Sequence, residues 1–281
     1  MERPDLVPVA RRRLIVNADD FGRSSSINAA VIRAHCEGIL TSASLMVNEP
    51  SCAEAVALAK QNPPLGVGLH LTLLGGRAAL APEKIPRLVD SSGAFANNPV
   101  AAGLKYFFQP GLRAQLEWEM AAQFEKFHAT GLKLDHVNGH LHLHLHPVVF
   151  GILMERARDW GLTHLRLTCD PFWFNARLAG GAWLYRASHA IIYRALSAGA
   201  RGALVERGLQ FVPNVFGLLQ NGRVDVRYLT RLLPALPPGD SELYSHPSLD
   251  EFKNEFEALV SPAVRELVRA QNIDLIRYQD L

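Results

Sequence analysis

The chain has 281 residues, 48% hydrophobic and 20% charged, with 29 Lys and Arg against 27 Asp and Glu for a net charge of +2. This composition suits a folded globular protein and excludes a disordered one, and a near-neutral balance gives no reason to expect nucleic acid as a partner. Three scattered cysteines (Cys36, Cys52, Cys169) supply neither a disulfide framework nor a Cys-based zinc site, so a cytoplasmic setting is expected.

Met1 to Arg13 holds two prolines, and the apolar run after it is too short for a signal-peptide core. No window offers the length of uncharged apolar sequence that a transmembrane helix needs. Arg13 to Asn17 reads as a short buried strand. Ser24 to Ser26 offer caps to a helix through about Glu37, with Gly38 as its stop. A strand over 43–47, a helix over 51–61 and a strand over 67–72 follow. Residues 75–110 read as an irregular rim excursion. A helix is predicted over 112–128, a strand over 132–138, a helix from Pro147 to Trp160 and a fifth strand over 164–168. Beyond the 171–208 segment, 209–212 and 242–245 read as strands and 249–270 as helix broken near Pro262. Residues 273–278 read as a last strand.

About seven strand–helix units in a chain of this length favour an α/β fold, a distorted TIM-like (β/α) barrel of parallel strands. No G-x-G-x-x-G follows the first strand, which argues against a dinucleotide-binding sheet. The expected organisation is one catalytic barrel domain over 1–281 with an Arg- and aromatic-rich insertion at about 171–208. Asp19-Asp20 follow the first strand, His70 lies late in the third, His140 follows the fourth and His246 follows a late one. Barrel chemistry collects at the C-terminal ends of strands, and four separated segments place ionisable groups there.

Each constellation has a chemical and a bland reading. Asp19 and Asp20 in N-A-D-D-F-G would repel if both were buried, unless a divalent cation takes one as ligand and leaves the other as base; alone, the pair reads as a strand-end turn. His70, in G-V-G-L-H-L-T-L, reads alone as a hydrogen-bonded core histidine, and its two preceding glycines point to close backbone approach. Five of the eleven histidines fall in D-H-V-N-G-H-L-H-L-H-L-H-P (135–147). If the run is extended, His140, His142, His144 and His146 share one face. One would bind metal, with others such as His142 and His144 orienting it, binding substrate or filling the rim; the bland reading is adventitious metal binding at a surface. His246 fits a general acid beside activated water, or a structural turn. Arg166 could pair with a site carboxylate, hold an oxyanion or form a structural ion pair.

Together N-A-D-D-F-G, G-L-H-L-T-L, N-G-H-L-H-L-H-L-H-P, L-R-L-T and L-Y-S-H-P resemble the YdjC-like carbohydrate deacetylase family from about Arg13 to Leu281, and its hopanoid biosynthesis-associated branch more than its chitooligosaccharide branch. The resemblance implies one divalent metal ion, with Zn or Mg expected, and removal of an acetyl group from an N-acetylated sugar carried on a lipid or oligosaccharide. Carried over by motif, Asp20, His70 and His140 would be the metal ligands, Asp19 the general base and His246 the general acid. One departure is Asn138, where relatives have an acidic residue.

Residues 171–205 carry Arg177, Arg186, Arg194 and Arg201, six aromatic residues and no Asp, Glu or Lys. On a helical wheel Arg186, His189, Arg194, Ser197 and Arg201 fall on one side and Leu184, Ala187, Ile191, Ala195 and Ala198 on the other. The segment reads as a peripheral contact with the inner face of the cytoplasmic membrane, or as an excursion packed on the barrel or on a second copy in a homo-oligomer. The leading expectation is a metal-dependent deacetylase of an N-acetylglucosaminyl hopanoid. The alternatives are a deacetylase of soluble chitooligosaccharides and a non-catalytic, membrane-associated metal-binding protein.

Overall fold

The computed structural model describes residues 11–281, so most of the N-terminal stretch read for a targeting signal lies outside the described residues. Seven parallel strands form one sheet in the order β4-β3-β2-β1-β6-β5, with β7 beside the first half of β1. They are β1 (Arg12–Phe21), β2 (Ser42–Leu45), β3 (Gly66–Leu71), β4 (Leu134–Gly139), β5 (Asn214–Phe216), β6 (Gly239–Ser245) and β7 (Ile273–Ile276). The sheet curls into a half-barrel. Residues 163–169 bridge the gap beyond β4: Val137 pairs with Leu165, His164 pairs with Gln210, and Val215 N–H donates to the Cys169 carbonyl at 2.9 Å. The expected strand over 164–168 is therefore a bridging segment, and the one expected over 209–212 gives way to β5.

Period-two alternation divides β1 between two environments. Leu14, Val16 and Ala18 point outward into the main core beneath the helices, while Ile15 belongs to a small inner cluster with Val215, Tyr244 and Tyr278. Fully burying side chains such as Leu14 and Val16 contributes about 1.5–3 kcal/mol each. Farther along the inward face come Asn17 and Asp19, both buried, so the barrel interior changes from apolar to polar toward the C-terminal ends of the strands.

The outer layer starts with α1 (Ser25–Glu37), whose N-cap Ser24 accepts from Ile27 N–H. Gly38 stops it where a Cβ would lie 2.3 Å from the Leu259 carbonyl. Helix α2 (Cys52–Gln61) follows as expected. The region read as irregular contains a helix, α3 (Pro99–Phe108), with Asn98 as N-cap. Glu119 and Gln123 of α4 (Arg113–Ala129) tie this rim down, accepting from Ala79 N–H and Thr72 N–H at 2.6 and 2.9 Å. After α5 (Pro147–Arg156), the insertion forms α6 (Phe172–Leu178) and α7 (Trp183–Glu206). Then come α8 (Val226–Ala235), α9 (Lys253–Val260) and α10 (Pro262–Ala270), the last two separated at Pro262 as read from the sequence. No described helix is long and apolar enough to cross a membrane.

Helix α7 exposes its apolar side and splits its arginine side between the protein and solvent. Arg186 and Ser197 are buried against the protein, whereas Leu184 is 86% and Ile191 71% exposed. The cause is a polar pocket for Arg186: its guanidinium donates to Asn175 Oδ1 at 2.6 Å and the Ala179 carbonyl at 2.7 Å and stacks over Trp183. Arg194 and Arg201 remain exposed.

Candidate active site

The site lies where β1, β3 and β4 end. A register shift between Ala18 and Phe21, together with a left-handed φ of 63° at Asp20, breaks the strand alternation. Such a bulge re-aims side chains, and Asp is among the few residues that tolerate that conformation. Both neighbouring carboxylates consequently face the same group of residues.

Asp20 Oδ1 lies 3.0 Å from His140 Nδ1 and 3.3 Å from His70 Nε2, and its Oδ2 accepts from Arg23 at 2.8 Å. One ligand atom from each of these buried residues lies within 4.8 Å of the others, so Asp20, His70 and His140 could hold a metal ion. The donor set fits a divalent cation: two imidazoles and a carboxylate, leaving coordination positions open. His70 is already oriented for it, because Nδ1–H donates to Asn138 Oδ1 at 2.7 Å and leaves Nε2 toward Asp20. Burial raises the Asp20 carboxyl's pKa, but hydrogen bonds and charge from His140 and His70 outweigh it and hold it well below the usual range.

Asp19 is held differently. Oδ1 accepts from Asn17 at 2.9 Å, Asn138 at 3.0 Å and Arg166 at 2.9 Å, while Oδ2 accepts, among the described residues, from Arg166 alone, at 2.7 Å. Burial raises its pKa, yet the Arg166 charge and hydrogen bonds overcome this and keep Asp19 ionised. Arg166 is fully buried, with its second edge on Glu242 at 2.5 and 2.9 Å. Of the three roles open to it, the structure shows the pairing with a site carboxylate; both edges are engaged, which does not fit an oxyanion contact. Glu242, in turn, accepts from the Tyr278 hydroxyl.

The histidine run is not extended. After β4 it turns through a 3-10 segment (His140–Leu145) in which Leu141 and His142 have φ of 50° and 59°. The shared face disappears and each ring has its own destination. His140 meets Asp20. His142 is buried, 5.2 Å from the Tyr193 ring and 5.4 Å from that of Tyr244, with Nδ1 lacking a partner among the described residues. His144 Nε2 lies 2.9 Å from the Arg166 carbonyl, and its Nδ1 is buried without a partner among the described residues; burial takes its pKa down to about 3. His146 Nε2 meets the Gly103 carbonyl at 3.0 Å. His136, inside β4, lies over Gly68, where a Cβ would come 2.5 Å from its ring, and the Asp135 carboxylate lies over Gly66, where a Cβ would come 2.7 Å from it; together they explain the two glycines before His70.

His246 follows β6. Its Nε2 is 3.0 Å from the Tyr244 hydroxyl, its backbone N–H donates to Glu255, and Nδ1 is buried without a partner among the described residues. Among the described residues no direct hydrogen bond joins it to Asp19. Between α3, α7 and the 3-10 turn lies a cavity of about 430 Å³. Its lining is mainly apolar, including Val100, Leu141, Ile192 and Leu196, with His142 and Tyr244 among its polar members.

Sequence reasoning missed Glu242, Tyr244 and the hydrogen bond from Asn138 to Asp19. The signal for the first two was available: Glu242 and Tyr244 alternate along the strand that leads to His246, so they share a face.

The model of the YdjC-like protein family matches residues 13–270. A carbohydrate deacetylase of Brevibacillus brevis is 40% identical over 148 residues, 53% of this chain and 56% of the relative. One from Geobacillus stearothermophilus is 39% identical over 54% of this chain and 58% of its own length, so in both alignments the chain spans little more than half of the relative. A carbohydrate deacetylase of Thermoanaerobacter pseudethanolicus is 28% identical over 95% of this chain and 98% of the relative. Among solved structures, an Enterococcus faecalis V583 protein described as a candidate cellobiose-phosphate cleavage protein superposes with a TM-score of 0.73 at 22% identity, over 96% of this chain and 99% of that one, a likeness of fold.

Proposed function

Because the chain belongs to the YdjC-like family, we propose that it is a metal-dependent carbohydrate N-deacetylase, built as a single catalytic barrel, that releases acetate from an N-acetylated sugar. The observation that carries this reading is the junction of two differently prepared aspartates. Asp20 faces His70 and His140 as a ligand set, and Asp19 stands beside it, kept ionised by Arg166.

The residues divide the work. A divalent ion, Zn or Mg, held by Asp20, His70 and His140 would supply Lewis acidity toward the amide carbonyl and an acidified water. Asp19 is the general base, and its Oδ2, with only one donor on it, is the atom with a lone pair to accept the water proton. Arg166 positions Asp19. His246 is the general acid, with Nδ1, which has no partner among the described residues, the atom to protonate the departing amine. Water adds to the amide carbon, the C–N bond breaks, and acetate and a free amino sugar leave. His142, on the cavity side, contacts the substrate; His144 serves by supporting Arg166.

The substrate we propose is an N-acetylglucosaminyl hopanoid, met at the inner face of the cytoplasmic membrane by a peripheral protein. The mainly apolar cavity beside the site supports an apolar aglycone over a soluble chitooligosaccharide, which offers hydroxyls on every sugar. The test is acetate release from the lipid conjugate and from chitooligosaccharides, with metal content measured on the same preparation. Release from the lipid conjugate, abolished by chelation and restored by metal, supports the reading. Release from the oligosaccharide alone replaces the substrate. A protein that binds metal and releases no acetate from either is a binding protein.

A further inference from the structure

The cavity mouth is framed by two helices whose outward faces are apolar. On α3, Val100, Leu104, Phe107 and Phe108 are 53–70% exposed, and Lys105 is the only charged residue of the helix. The helix is anchored from its other side by Tyr106, whose hydroxyl donates to the Leu73 carbonyl at 2.8 Å. On α7, Leu184, Ile191 and Ile192 are exposed while Arg186 is turned inward. Between the helices stands Leu141, half-exposed despite a left-handed backbone, a conformation that costs a non-glycine residue energy. Val100, Leu141 and Ile192 each line the cavity and each reach solvent, so the exposed apolar surface continues into the site's antechamber. Globular helices normally turn such residues inward, and an apolar surface of this extent marks a contact.

Charge indicates what covers it. Residues 91–116, which contain α3, have no Asp or Glu, and the one acidic residue of α7 is Glu206 at its C-terminal end. Lys105, Arg177, Arg194 and Arg201 are exposed and have no acidic partner among the described residues. The indoles of Trp173 and Trp183, 78% and 52% exposed, are side chains that prefer a membrane–water interface. Apolar faces bordered mainly by cations complement an anionic leaflet.

We propose that α3 and α7 form a two-sided platform that seats the cavity mouth directly on an anionic bilayer, so that an amphiphilic substrate passes from the leaflet between the helices into the site. The direction of substrate delivery rests on the deacetylase reading; the contact with lipid does not. The new element is α3: a membrane contact made by the 171–205 insertion alone would leave its apolar face without a role.

The test is co-flotation of the full chain with vesicles of phosphatidylcholine containing 30% phosphatidylglycerol, and with phosphatidylcholine alone. Binding is expected to the anionic vesicles, weakened at high salt. Leu104→Glu with Phe108→Glu on α3, and Leu184→Glu with Ile191→Glu on α7, should each reduce partitioning by about tenfold or more. Circular dichroism and acetate release from a soluble N-acetyl sugar should match wild type, because none of the four lines the cavity beside the site. An α3 variant that floats as wild type overturns the two-sided platform. Failure of wild type to float, with a dimer that the same substitutions disperse, assigns the faces to a second copy. If wild type floats but releases no acetate from any substrate, the platform stands and the deacetylase reading fails.

Discussion

The Asn138 amide and the Asp19 carboxylate are joined by a 3.0 Å hydrogen bond, and the other end of the same amide holds His70 at 2.7 Å. Asp19 can only accept, so the amide nitrogen must face it and the oxygen must face His70 Nδ1–H. A neutral side chain is thus what lets one residue serve both the base and a metal-ligand candidate. Asn138→Asp should still accept from His70 and retain metal affinity. It can no longer donate to Asp19 and places a like charge beside it, so acetate release should fall at neutral pH. Asn138→Ala should weaken metal binding by about 10–100-fold. Metal titration and acetate assays on both variants check this; equal metal affinity in Asn138→Ala and wild type would contradict it.

Arg166 spans Asp19 and Glu242 with no solvent exposure. Removing it leaves two buried carboxylates without their cation, and breaking a buried ion pair typically costs about 3–5 kcal/mol. Arg166→Ala should therefore lose roughly that much stability in urea unfolding. A loss under 1 kcal/mol would mean that the interior around Asp19 is far wetter than its burial indicates.

Asp170 is buried, and burial raises its carboxyl to about 7 despite donation from Leu219 N–H and Asn175. The folded pKa lies above the unfolded one, so the fold prefers the protonated acid. The stability this group contributes is complete below about pH 4, falls as pH rises to about 7 and then levels off, a change of roughly 4 kcal/mol. Asp170→Asn cannot titrate. Its stability relative to wild type should rise between pH 4 and 7 and stay constant above; thermal unfolding of both proteins across that range measures the difference. A difference independent of pH would be the contrary result.

His142 is buried at the cavity with a left-handed backbone, and burial, followed by the Arg166 charge, holds its pKa well below the usual histidine range. The ring is neutral and able to donate or accept toward a ligand. Asn tolerates the same backbone conformation. His142→Asn should stay within about 1 kcal/mol of wild type in stability and keep its metal affinity, while KM rises several-fold. An unchanged KM would remove His142 from substrate contact.

Much of the site was legible because strand ends are legible. Asp19, Asp20, His70 and His140 sit at the ends of apolar runs, and the parallel sheet brings those ends together. The histidine run was legible in composition only: period-two spacing put four rings on one face, whereas left-handed Leu141 and His142 send them to four places. Local spacing carries no sign of that turn. Helix α3 was hidden for the opposite reason. Its strongly apolar face is turned outward, and it lies in a stretch broken by Pro, Gly and Asn that reads as loop. In α7 the period was legible but not which side meets the protein, because the pocket that receives Arg186 is assembled by Asn175, Ala179 and Trp183, and its hydrogen bonds cannot be seen on a helical wheel.

The most direct measurement compares Asp19→Asn and Asp20→Asn for metal content and for acetate release from an N-acetylglucosaminyl conjugate. Asp19→Asn should retain metal and lose turnover by at least about a hundredfold, as expected for removal of a general base. Asp20→Asn should lose the metal itself. Near-full turnover in Asp19→Asn, or full metal occupancy in Asp20→Asn, would contradict the division of labour between the two aspartates.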